Sequence, residues 1–184
     1  LFLKKGSPDL FSPVCGGNQE KKRRGGTENV AGIAGFGKAC ELAQKRVDSL
    51  EFLNLSSLRE HFYQLVSTLI SGVEIFGDLE NRLPNTLNLG FEAVEGDTLL
   101  ISLDMAGVAV STGSACSSGS GLPSPVLTAM GIPFDKINSS IRFSFGWSNT
   151  TAEIEKAVKI LAQTVSLNRT GTPADVNKKL MKTL

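Results

Sequence analysis

Histidine is nearly absent from these 184 residues, with His61 as the single example. That residue falls inside an amphipathic stretch and reads as a surface side chain, so a Ser-His-Asp site has little to be built from. Cysteine is scarce too, with three residues at positions 15, 40 and 116. An odd number argues against a closed disulfide framework and for a reducing, cytoplasmic setting. No His/Cys pair has the spacing of a metal site. Motifs that would announce phosphate, dinucleotide or serine-hydrolase chemistry are missing: there is no G-x-S-x-G, no G-x-x-x-x-G-K-[ST] and no G-x-G-x-x-G. Neither charge sign dominates, since 19 basic residues face 18 acidic ones. A net charge of +1 gives no argument for nucleic acid as a partner. No run approaches the ~20 apolar residues that a membrane-spanning helix needs. The opening LFLKKGSPDL has no signal-peptide pattern, and no initiating Met is present, so the chain is expected to begin downstream of its gene's start. Four Asn-x-Ser/Thr matches, at Asn54, Asn138, Asn149 and Asn168, read as chance in that setting.

What is present is the composition of a soluble globular protein, 41% hydrophobic and 20% charged. Residues 1–29 are irregular and polar and contain the basic run KKRR. From Val30 to Val47, the spacing of Ile33, Phe36, Cys40, Ala43 and Val47 predicts a helix with Cys40 on its core face. Leu58, Phe62, Leu65, Val66 and Leu69 predict a second helix ending before Gly72. VEIF (73–76) and LNLGF (87–91) read as strands on either side of a loop at 77–86. EGDTLLISLDMAG reads as a helix stopped by Gly107, and VAVST (108–112) as a buried strand. SPVLTAMG (124–131) fits a short helix with Gly131 just past its end. In SSIRFSF (139–145), Ile141, Phe143 and Phe145 alternate with Ser140, Arg142 and Ser144, so Arg142 points away from an apolar face. Thr150 or Thr151 caps a last helix with the stripe Ile154, Ala157, Val158, Leu161 and Val165. The tail from Arg169 is polar and basic and is expected to be mobile. The pattern is α+β, with no internal repeat.

Cys116 stands apart. It lies in AVSTGSACSSGSG (109–121), among Ser, Gly and Ala rather than the Leu, Ile or Val that usually surround a buried thiol. A thiol in such a stretch suggests chemistry.

GVAVSTGSACSSGS (107–120) resembles the active-site loop of the NifS-type cysteine desulfurases, pyridoxal-phosphate enzymes of the class V aminotransferase group. GGNQEKKRRGGTENVAGIAGFGKA (16–39), GDLENRLPNTLNL (77–89) and NSSIRFSFGW (138–147) resemble further family stretches in the family's order. The resemblance implies the small α+β C-terminal domain of a fold-type I pyridoxal-phosphate transferase, preceded by the trailing edge of the large α/β domain. On that reading residues 1–30 are a remnant of the large domain and dimer-contact segment. Residues 31–168 are the small domain with its connecting helix, and 169–184 are the tail.

The resemblance also implies roles. Cys116 is the nucleophile that takes sulfur from L-cysteine as a persulfide, leaving alanine. Its small neighbours let the thiol swing between pickup and delivery. Arg142 clamps the substrate α-carboxylate, a task suited to a guanidinium's two parallel donors. Thr27 reaches the phosphate of the partner subunit's pyridoxal phosphate in a homodimer. The chain is expected to have no metal of its own, apart from a transient contact of Cys116 with an iron-sulfur cluster through the persulfide. An iron-sulfur scaffold protein is the expected sulfur acceptor, and neither nucleic acid nor membrane is an expected partner. Cys116 and its long Gly/Ser loop favour cysteine over selenocysteine as substrate. Two features depart from the family pattern. Cys15 stands where a histidine is expected, and the Ser/Thr-x-His-Lys motif whose lysine holds the cofactor does not occur. Its absence leaves two other readings open, a sulfur-relay or binding module and an inactive remnant.

Overall fold

The structure, a computed structural model, describes residues 3–8, 11–112 and 123–170. Cys116 and the stretch from 171 onward lie outside the described residues. The chain divides into two compact units, Leu1–Ser49 and Leu50–Leu184. Among the described residues no helix is long and apolar enough to cross a membrane.

The first unit is a folded-back loop followed by one long helix. Its short turn α1 (Gln19–Lys22) carries Glu20 and Lys21 in the left-handed region, at φ 51° and 59°. Helix α2 (Val30–Asp48) begins at Asn29, whose side chain accepts a hydrogen bond from the Gly32 backbone N–H. This is the capping geometry that an Asn before an apolar-periodic run should give. The apolar stripe forms as expected, but none of the described residues covers it. Val30, Ile33, Phe36 and Val47 are all exposed, and no residue of α2 is buried. Cys40 is therefore exposed, not core. Sequence periodicity fixes which face is apolar, and among the described residues no element of this unit buries that face.

The second unit is built on a four-stranded antiparallel sheet, in the order β1-β2-β4-β3. Its strands are β1 (Val73–Phe76), β2 (Thr86–Phe91), β3 (Ser111–Thr112) and β4 (Ser140–Ser144). Because side chains alternate along each strand, Leu87, Leu89, Phe91, Ile141 and Phe143 share one face and are buried. Three helices supply most of the rest of that core: α3 (Phe52–Leu69), α4 (Gly96–Met105) and α7 (Thr151–Thr170). Phe62 of α3 sits among rings, its centroid 4.8 Å from that of Phe143 and 5.4 Å from that of Phe145. Helix α7 starts with a reciprocal capping box. The Thr150 hydroxyl accepts from the Glu153 N–H, and the Glu153 carboxylate accepts from the Thr150 N–H at 2.8 Å.

At the other end of α7, Arg169 donates from Nε to the Glu92 carbonyl (2.8 Å) and from Nη1 to the Ser71 carbonyl (3.0 Å). The residue read from sequence as the start of a free tail instead ties the helix to two turns of the sheet. The loop expected at 77–86 is braced in a similar way. Arg59, buried on α3, donates from Nη1 to the Leu83 carbonyl at 2.8 Å.

The strand expected over 108–112 is shorter than its apolar pattern suggests. The Val108 N–H is spent on the Leu103 carbonyl, closing the end of α4, and Gly107 turns there at φ +82°. Backbone pairing with β4 consequently begins only at Ser111.

The opposite face of the sheet is partly covered by α5 (Pro125–Ala129) and α6 (Phe134–Asn138). Leu127 and Ile137 pack there with Phe76 in a second, smaller core. Gly96, the first residue of α4, lies against the turn that leads from α6 into β4. A Cβ at that position would lie 2.7 Å from the Asn138 carbonyl oxygen and 3.2 Å from that of Ser140. Both are backbone atoms, so Gly96→Ala is expected to destabilise the unit by about 1–3 kcal/mol. Urea unfolding of the variant measures this, and an unchanged midpoint would refute the packing argument.

Candidate functional site

The strand register lines up four side chains across the second face of the sheet. Phe76 is opposite Asn88, Asn88 is opposite Arg142, and Arg142 is opposite Ser111. All lie on the face away from the large core, because their neighbours Ile75, Leu87, Leu89, Ile141 and Phe143 face it. Arg142 projects away from the apolar face, as the alternation of β4 requires. It is half-buried, and its guanidinium makes no hydrogen bond or ion pair with the described residues.

The environment keeps room around this arginine. The next pairs along β2 and β4 on the same face are Gly90 with Ser140 and Thr86 with Ser144, all small. Gly90 has its own reason to lack a side chain, since a Cβ there would meet the Phe76 ring at 2.6 Å. The Ser140 hydroxyl is buried and donates to the Ile137 carbonyl at 2.8 Å.

Position 142 also sits beside the way into the Cys116 stretch. β3 pairs Ser111 with Arg142 and Thr112 with Ile141, and Thr112 precedes Cys116 by four positions. Chain leaves that stretch at Pro123 and Ser124, and the Ser124 hydroxyl then accepts from the Leu127 N–H to cap α5. Both anchors are described, while Cys116 itself is outside the described residues.

Thr27 belongs to the first unit and is exposed. The glycines around it are needed by the backbone. Gly25 is buried against the strand of chain at 14–16, donating its N–H to the Val14 carbonyl at 2.8 Å. A Cβ on Gly25 would lie 2.6 Å from the Cys15 carbonyl oxygen and 2.8 Å from the Gly16 Cα. Arg24 Nη1 then donates to the Gly25 and Gly26 carbonyls, at 3.1 and 2.6 Å. The carbonyls are turned toward Arg24, and the Thr27 hydroxyl makes no hydrogen bond with the described residues. A hydroxyl without a partner among the described residues, flanked by glycine backbone, is a donor suited to a phosphate oxygen, while Arg24 beside it is engaged with these carbonyls and with Glu28 at 3.6 Å.

The remaining residues singled out in the sequence take no part in the row. Cys15 and Cys40 are both free and exposed. His61 lies where α3 meets α7, its Nε2 3.6 Å from a Glu155 carboxylate oxygen. No cluster of three or more His, Cys, Asp or Glu suited to a metal ion exists among the described residues. A cavity of about 570 Å³ opens beside Phe76 and Gly90, but its walls run to Glu92 and Lys136 and do not reach Arg142. Lys136 in that wall donates to Glu74 at 2.6 Å, and this partner raises the lysine's pKa. Sequence reasoning did not single out Asn88. The alternation in TLNLGF places it opposite Leu87 and Leu89, but only the strand register shows that it faces Arg142.

Comparison with known proteins adds to this geometry. Residues 14–157 match the aminotransferase class-V family. The cysteine desulfurase IscS of Dictyoglomus turgidum is 42% identical over 182 residues, covering 99% of this chain and 46% of that protein. A cysteine desulfurase of Gluconacetobacter diazotrophicus is 43% identical over 173 residues, covering 94% and 43% respectively. Among solved structures, a NifS-like protein matches with a TM-score of 0.77 at 32% identity, over 90% of this chain and 41% of that one. A NifS-like protein from Rickettsia africae ESF-5 matches with a TM-score of 0.72 at 31% identity, over 85% and 40%. The chain thus spans less than half the length of the curated relatives it matches.

Proposed function

Since the chain belongs to the aminotransferase class-V family, we propose that it is the part of a pyridoxal-phosphate-dependent cysteine desulfurase that binds the substrate carboxylate and receives the sulfur. The observation that carries this reading is the placement of Arg142. A guanidinium with no partner among the described residues projects from the polar face of the sheet, in register with the residue that leads into the Cys116 stretch. The relatives named as cysteine desulfurases support the same assignment.

In the proposed reaction, Arg142 offers two parallel N–H donors to the α-carboxylate of L-cysteine and so orients the amino acid. Cys116 acts as the thiolate and attacks the substrate sulfur. A sulfur–sulfur bond forms as the carbon–sulfur bond breaks. The bonding electrons stay with the substrate carbon, which takes a proton and leaves as alanine. When bound, pyridoxal phosphate supplies the electron sink that makes this carbon–sulfur bond labile. Thr27 would hold its phosphate, in a homodimer where each subunit's threonine serves the partner's site. Persulfide sulfur then passes from Cys116 to an acceptor, for which an iron-sulfur scaffold protein is our candidate.

The test is substitution of Arg142 in the protein as its source produces it, loaded with pyridoxal phosphate. Arg142→Ala is expected to raise the KM for L-cysteine by roughly 10²-fold, the scale of losing one partner of a desolvated charge pair. Arg142→Lys should recover little, because a single ammonium cannot present two parallel donors. An Arg142→Ala enzyme with unchanged KM would remove the arginine from the site.

A further inference from the structure

The row across the sheet contains one polar group that the fold does not explain. Asn88 stands between Phe76, which offers no donor, and Arg142. Its Oδ1 is shut off from solvent and accepts no hydrogen bond from the described residues. A carbonyl oxygen buried in this way disfavours the folded state by about 1–3 kcal/mol, whereas an apolar side chain of the same shape would carry no such penalty. Stability therefore gives no reason for an amide here. The nearby hydroxyl of Ser140 is already committed to Ile137. Directly opposite residues on neighbouring antiparallel strands hold their Cβ atoms about 4.5–5.5 Å apart, which brings the long Arg142 side chain within reach of the Asn88 amide.

We propose that Asn88 is a positioning residue for Arg142. Its Oδ1 accepts one guanidinium N–H, which fixes the plane of the group and leaves a parallel pair of N–H donors turned toward a carboxylate. A guanidinium has five N–H donors, so holding one edge does not exhaust the other. Among the described residues Arg142 is the cation set opposite this oxygen, and taking this posture relieves the penalty on it, so the empty acceptor biases the arginine toward it. This inference rests on the reading of Arg142 as the carboxylate clamp.

The experiment combines Asn88→Leu with Arg142→Ala in the pyridoxal-phosphate-loaded protein as its source produces it. Asn88→Leu is expected to raise the KM for L-cysteine about tenfold, the scale of one hydrogen bond to a charged group. The kcat should stay within about twofold, because Asn88 acts on binding and not on the sulfur transfer. The thermal midpoint should hold or rise, because the substitution removes an unpartnered buried oxygen. In the Arg142→Ala background, Asn88→Leu should add nothing further to KM, as coupling through one arginine demands. A lowered midpoint with unchanged KM would make Asn88 a structural residue and overturn the proposal. A KM effect that adds in full to that of Arg142→Ala would overturn it too, while leaving the clamp intact. If Arg142→Ala alone leaves KM unchanged, or the unsubstituted protein does not turn over, the clamp reading fails and this inference with it.

Discussion

Cys116→Ser protein loaded with pyridoxal phosphate is expected to bind L-cysteine normally and to release no sulfur from it. The substitution changes one atom, yet that atom must do two things. It must be available as an anion near neutral pH, which a thiol manages and an alkyl alcohol does not. It must also form a bond to sulfur that a later acceptor can break, and thiol exchange does so readily. Losing a catalytic nucleophile reduces turnover by at least roughly 10³-fold. Binding should survive because the proposed carboxylate contact is made by Arg142 of β4 and not by the thiol. Alanine formation at more than about a hundredth of the unsubstituted rate would show that sulfur leaves by a route not involving Cys116.

Phe62→Ala is expected to be the most damaging change to the second unit. Phe62 is 2% exposed and meets the rings of Phe143 and Phe145 at the same time. Removing it opens a cavity between α3 and β4, the strand that also carries Arg142. Substitutions of this kind cost about 3–5 kcal/mol, against total stabilities of roughly 5–15 kcal/mol for whole domains. In urea the midpoint should move down by on the order of 2 M. The consequence for function is direct, because the core face of β4 holds the register that sets Arg142 opposite Asn88 and Ser111. A midpoint within about 0.3 M of the unsubstituted protein would mean that the core closes over the gap and does not depend on this ring.

Much of the sheet was legible in the sequence because its strands alternate cleanly. TLNLGF and SIRFS place their apolar residues on one face, and the structure pairs those faces without a register slip. Arg142 was legible for the same reason. The expected strand at 108–112 was over-read, because apolar composition does not reveal that the Val108 N–H closes a helix instead. Cys40 shows another limit. Periodicity located the apolar stripe of α2, but burial needs a second surface, and no residue of that helix is covered. Arg59 and Arg169 were missed because each acts through a partner distant in sequence, the Leu83 carbonyl for one and the Ser71 and Glu92 carbonyls for the other. Asn88 was missed because only the strand register sets it opposite Arg142. The glycines at 16 and 25 stood out in the sequence only through the resemblance of the stretch 16–39, and the close approach of the two backbones gives them a physical reason.

All three cysteines compete in the measurement that bears most directly on this account. Cys15 and Cys40 are free and exposed, so accessibility alone would let either of them take up sulfur. The pyridoxal-phosphate-loaded protein should be given L-cysteine, stripped of excess substrate, digested without reductant and mapped by mass spectrometry. One added sulfur atom on the peptide containing Cys116, with the Cys15 and Cys40 peptides unmodified, is the result expected. Sulfur on Cys15 or Cys40 instead, or on none of the three, would contradict the assignment of this chain as the sulfur-receiving part of a cysteine desulfurase.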